Sequence, residues 1–106
     1  MSRIVTKDDN GTTVELHVGD EVVLRLPENA TAGYRWAVEA ADANLVDLKE
    51  GEYLPASGAT GSGGMAQWTV RAQTTGAAQI KLKRWRRWEG ETSVRDRFEF
   101  TLRIVP

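Results

Sequence analysis

Cysteine is absent from the 106 residues, and His17 is the one histidine. The chain therefore has no thiol chemistry of its own and needs no oxidising compartment. It also lacks the ligand clusters of a structural zinc or iron–sulfur site. His17 alternates outward beside Leu16 and Val18, which are read as inward-facing, so it is expected on the surface rather than in a Ser-His pair. Ser62 lies in Gly61-Ser62-Gly63, without the Gly-x-Ser-x-Gly spacing of a nucleophile elbow. The glycine-rich run from Gly58 to Gly64 has no Gly-Lys-Ser/Thr ending and no strand-to-helix setting, so it does not read as a phosphate loop. Asp8 and Asp9 lack the spaced oxygen ligands of an EF-hand. Glu89 and Glu91 form a carboxylate pair, but a charged hairpin carries the same residues on its solvent face. Neither catalysis nor a cofactor is expected.

Neither sign of charge dominates. Fourteen Lys and Arg residues nearly cancel fifteen Asp and Glu residues, for a net charge of -1. No overall field steers the chain toward nucleic acid or an anionic membrane, so any electrostatic preference is local. Long apolar runs are missing as well. Met1 to Asn10 has no signal-peptide core, and no later stretch approaches a membrane span. A cytoplasmic location is expected if this N-terminus is native, and a secreted or periplasmic one if a leader has been removed. Asn10-Gly11-Thr12 and Asn29-Ala30-Thr31 match the glycosylation acceptor pattern, which matters only in a secretory pathway. What is present is globular: 41% apolar and 27% charged residues, enough for one hydrophobic core. A single domain over residues 1–106 is expected, monomeric when free.

The apolar residues recur with period two. Val14, Leu16 and Val18 alternate with Glu15 and His17, and the same phase resumes at Val22, Leu24 and Leu26. Arg3 to Lys7 reads as a short edge strand before the Asp8-Asp9-Asn10-Gly11 turn. Pro27 is expected to end or edge its strand because it has no N–H to give a ladder. A new strand starts near Arg35, with Trp36, Val38 and Ala40 inward. Another runs from Leu45 to about Tyr53, a loop spans Pro55 to Gly64, and Trp68, Val70 and Ala72 form the next inward face. Ile80 and Leu82 follow, with Lys81 and Lys83 on the other face, and Phe98, Phe100, Leu102 and Ile104 give the clearest strand. No window carries a capped helical stripe. Repeated short strands favour an all-β sandwich, with a barrel as the geometric alternative.

Three connecting segments stand out. Asn29-Ala30-Thr31-Ala32-Gly33-Tyr34-Arg35-Trp36 is a small polar turn running into two aromatic residues. Gly33 supplies freedom for positive φ, and Asn29 and Thr31 can hydrogen-bond local backbone. Gly61-Ser62-Gly63-Gly64-Met65 forms a second turn. Lys81 to Trp88 is basic and aromatic, and it has a nucleic-acid reading in which the cations meet phosphate and Trp85 or Trp88 stacks on a base. All three segments can lie at one end of a sandwich, where small loops enter a cleft and Trp88 packs at its mouth. That arrangement suits concave protein recognition better than a phosphate track, so nucleic acid is the lesser reading.

At these residues the chain resembles the chagasin-like inhibitors of papain-type cysteine peptidases. Asn29 to Trp36 is similar to the family's Asn-Pro-Thr-Thr-Gly-aromatic-x-Trp loop, Gly61-Ser62-Gly63-Gly64 to its Gly-x-Gly-Gly loop, and Arg86-Arg87-Trp88-Glu89-Gly90 to its Arg-Pro-Trp-x-Gly loop. The resemblance runs from about Thr13 to Ile104. The glycine element alone is weak, but its order and spacing between the other two make the combination specific. The resemblance implies an immunoglobulin-like β sandwich that excludes substrate and performs no catalysis. It implies that Thr31 approaches the partner's catalytic centre, that Gly33 sets the backbone path, and that Gly61 to Met65 and Arg86 to Trp88 brace either side, with Trp88 as anchor. Ala30 and Arg87 stand where the family pattern has proline, and Ala32 where threonine is common. The missing prolines imply less preorganisation, worth about 0.4–1 kcal/mol, or about 2–5-fold in affinity.

Overall fold

The computed structural model describes residues 2–28, 33–55 and 63–106. Period-two patterning becomes two stacked sheets. One contains β1 (Ser2–Val5), β3 (Glu21–Glu28), β5 (Val46–Glu50), β6 (Leu54–Pro55) and β7 (Gly64–Ala72). Its order is β1-β3-β7-β5, with β6 also paired to β7. The other contains β2 (Thr13–His17), β4 (Arg35–Ala40), β8 (Gly76–Trp85) and β9 (Asp96–Val105), in the order β2-β9-β8-β4. Both sheets are mixed: β1 runs parallel to β3 and β2 parallel to β9, while the other pairs are antiparallel. The result is the immunoglobulin-like β sandwich that the sequence led us to expect.

The core lies between the sheets. Leu24, Leu26 and Val70 from one face meet Ile80, Leu82, Phe100 and Leu102 from the other, and Trp68 joins them. Successive strand side chains alternate between faces, so each alternating run delivers one apolar row inward. Full burial of one such side chain stabilises by about 1.5–3 kcal/mol.

Several expectations shift in register. Val14 and Leu16 are buried, but Val18 is 46% exposed. β2 ends at His17, and a turn closed by the Asp20 carboxylate accepting the His17 N–H at 3.1 Å carries Val18 outward. The chain also changes sheets there, so β2 and β3 do not share one continuous face. Pro27 does not end β3, where it pairs with Met65, but it takes the edge position that was the other expectation. Among the described residues β1 pairs with β3 only up to Leu24, so Pro27 has an open edge on that side and loses no ladder bond there to its missing N–H. In β4 only Trp36 packs against the core, while Val38 and Ala40 are exposed. β4 is an edge strand, and a register shift between Val38 and Ala40 breaks its alternation. β5 stops at Glu50 instead of reaching Tyr53. Pro55 and Gly64, expected within a loop, belong to β6 and β7.

The ladders also gather one set of strand ends. Glu28 is opposite Gly64 in the first sheet, and Arg35 is opposite Trp85 in the second. The chain therefore leaves β3, enters β4, enters β7 and leaves β8 at the same end of the sandwich.

Candidate functional site

Glu28 occupies the next inward position after Val22, Leu24 and Leu26, and it is only 4% exposed. A carboxylate buried there needs donors. It accepts the Trp36 backbone N–H at 2.7 Å, and Arg35 Nε lies 3.8 Å from its other oxygen. The Trp36 indole N–H donates to the Pro27 carbonyl at 2.9 Å, and the Tyr53 hydroxyl donates to the Glu28 carbonyl at 2.9 Å. These bonds clasp the stem of the first loop and tie β3 to β4 across the sheets. Glu28→Ala leaves the Trp36 N–H without this acceptor and is expected to cost about 1–3 kcal/mol of stability in urea unfolding. Glu28→Gln keeps an acceptor oxygen and should lose less. Equal stability of Glu28→Ala and the parent protein would show that the clasp contributes nothing.

Gly33 and Tyr34, in the described part of the first loop, pack on the third loop and its flank. Gly33 has φ 80, and a Cβ added to it would lie 2.6 Å from Trp88 Cη2, so the indole edge rests against a backbone that only glycine leaves open. Trp88 nevertheless remains 72% exposed. Tyr34, 7% exposed, is flanked by the Arg86 and Arg95 guanidinium groups, each 4.4 Å from its ring centroid. Cation–π contacts of this kind contribute about 0.5–2 kcal/mol. Tyr34 therefore anchors the root of the first loop to both flanks of the third.

The third loop is two short 3₁₀ turns, Arg87–Glu89 and Glu91–Ser93, joined at Gly90 with φ 77. Ser93 is its internal latch. The buried hydroxyl accepts the Arg86 N–H at 3.0 Å and lies 2.9 Å from the Arg86 carbonyl and 2.6 Å from that of Gly90. Lys83, expected on an open face, is 9% exposed because this loop covers it. Its ammonium sits 3.8 Å from the Trp85 ring centroid and pairs with Glu91. The hydrogen bond from Lys83 holds the Glu91 carboxyl below its ordinary pKa, helped by the Lys83 and Arg97 charges. Arg97, in turn, is raised chiefly by its hydrogen bond to Glu39.

The second loop enters through Gly63, with φ 81. A Cβ at Gly64 would lie 2.6 Å from the Tyr53 hydroxyl, which crosses there toward Glu28. Met65 follows, partly exposed and paired across the ladder with Leu54.

The described part of the expected site thus gathers at one end: Gly33, Tyr34, Gly63, Gly64, Met65, Arg86, Arg87 and Trp88. Asn29, Ala30, Thr31, Ala32, Gly61 and Ser62 lie outside the described residues. Sequence reading missed the supports Glu28, Tyr53, Ser93 and Arg95. Glu28 carried a signal, an acidic residue at an inward phase; the other three are joined to the site by contacts distant in sequence or by loop closure. Among the described residues, no group of three or more His, Asp or Glu side chains could hold a metal ion. No helix among them is long and apolar enough to cross a membrane.

Comparison with known proteins gives a concordant picture. The profile described as Chagasin family peptidase inhibitor I42 matches residues 15–104. Chagasin from Trypanosoma cruzi is 30% identical over 108 residues, covering 97% of this chain and 98% of that protein. The solution structure of amebosin, 27% identical, superposes with a TM-score of 0.81 and covers 99% of both chains. The crystal structure of the cysteine protease inhibitor EhICP2 from Entamoeba histolytica shares the fold at 19% identity, with a TM-score of 0.88, covering 98% of this chain and 96% of that one.

Proposed function

This chain belongs to the chagasin family of cysteine peptidase inhibitors, and we propose that it blocks papain-like enzymes by filling their substrate cleft with three loops. The loop of residues 29–36 supplies the wedge, with Thr31 nearest the partner's catalytic centre. Gly61 to Met65 and Arg86 to Trp88 form the two walls, and Trp88 is the principal anchor. The observation that carries this reading is the packing of Trp88 on Gly33, which couples the wedge to one wall while leaving most of the indole open to a partner. Binding gains from this preorganisation because less freedom is lost on association. A rigid aromatic also buries a large apolar area at modest entropic cost. The inhibitor acts as a single-domain monomer, excludes substrate sterically, and leaves the nucleophilic cysteine to the enzyme.

The basic segment suits this role better than nucleic-acid binding. Lys81 lies 3.9 Å from Glu99, Arg84 2.5 Å from Asp96 and Arg86 3.2 Å from Glu89, while Lys83 pairs with Glu91. With these four cations engaged by carboxylates, Arg87 alone of the segment is left to meet phosphate, which makes a poor phosphate track.

Titration into a papain-like peptidase of known active-site concentration tests the reading. Activity is expected to fall reversibly and in proportion to added protein, ending near one equivalent. Undiminished activity across several such enzymes would contradict it.

A further inference from the structure

We propose that Arg87, together with Arg95, makes the third loop a cationic rim that favours papain-like peptidases whose cleft walls carry carboxylates. This rests on the loop-occlusion reading and adds the chemistry of the preferred partner. The molecule as a whole is slightly acidic, with a net charge of -1, so attraction to an acidic surface must come from an uneven distribution. Around the third loop most cations are neutralised locally: Lys83 and Arg97 by Glu91, Arg84 by Asp96, and Arg86 by Glu89. Arg87 and Arg95 differ. Both are exposed, and no described carboxylate lies within ion-pair distance of either. Segments 29–32 and 56–62 contain no Asp or Glu that could supply a partner. Glu50 lines the same groove as Arg87.

The two charges are also placed for use. Arg95 is held against the Tyr34 ring at 4.4 Å, so its position is fixed without a counter-ion. Arg87 precedes the exposed Trp88 and opens the first 3₁₀ turn. A carboxylate on the enzyme wall beside the Trp88 seat would therefore meet an uncompensated guanidinium. Rim charges of this kind act mainly on the association rate and its salt dependence. Arg87 stands where the resembled pattern has proline, so this preference belongs to the chain's own sequence.

The test is stopped-flow association with two papain-like peptidases, one with an acidic cleft rim and one with a neutral rim, from about 25 to about 250 mM salt. The Debye length shrinks over that range from about 19 to about 6 Å. The parent protein should associate faster with the acidic enzyme, and salt should slow that reaction selectively. Arg87→Glu should lower the low-salt rate by roughly 2–5-fold or more and flatten the salt dependence, with dissociation little changed. Arg87→Ala should fall between, and circular dichroism should report the parent fold for both. Association that ignores salt, or Arg87→Glu binding the acidic enzyme at the parental rate, would overturn this inference alone. Failure to inhibit either enzyme would overturn the occlusion reading and this inference with it.

Discussion

Replacing Trp88 by alanine is expected to weaken inhibition about 30–700-fold while the fold persists. The estimate follows from the cost of truncating a central aromatic anchor, about 2–4 kcal/mol, at about 1.4 kcal/mol per tenfold. The fold should persist because Trp88 is absent from the core and largely exposed in the free protein. Its removal exposes Gly33 but empties no space between the sheets. Exposed substitutions of this kind usually change stability by about 0.5 kcal/mol or less. The inhibition constant and thermal unfolding should therefore separate. An unchanged constant would remove Trp88 from the anchor role, and a collapsed fold would make it a structural residue instead.

Gly33→Ala is expected to weaken inhibition about 5–150-fold. Two costs coincide at this position. The backbone has φ 80, which an L side chain tolerates poorly, and the new Cβ would meet the Trp88 ring at 2.6 Å. Strain of this type is about 1–3 kcal/mol. The free protein can relieve it by moving the loop and displacing the indole, so binding must restore both, and the cost appears in affinity. The two sites should therefore be coupled. In a Trp88→Ala background the steric part is already gone, and Gly33→Ala should cost less than it does alone, as a double-mutant cycle would read. Equal costs in both backgrounds would mean that Gly33 and Trp88 act independently.

How much of this was legible in the sequence depended on whether a contact was local. Phe98, Phe100, Leu102 and Ile104 announce β9 because alternation is a property of the strand itself, and all four are buried. Trp36, Val38 and Ala40 look similar on paper, but β4 lies at a sheet edge with a broken register, so only Trp36 reaches the core. Lys83 reads as an exposed cation until the loop ending at Ser93 folds back and supplies Glu91 and cover. Glu28 is the instructive residue. Its inward phase was visible, but its function as a clasp depends on Trp36 returning from the far side of the loop. The three motifs could be recognised by order and spacing, while the Trp88-on-Gly33 contact that joins two of them required the fold.

Occlusion is tested most directly by the apparent inhibition constant of a papain-like peptidase at increasing substrate concentration. If the loops occupy the substrate cleft, the apparent constant should rise linearly with substrate, and maximal velocity should be unchanged at saturation. An apparent constant independent of substrate would place the inhibitor away from the cleft and contradict the account.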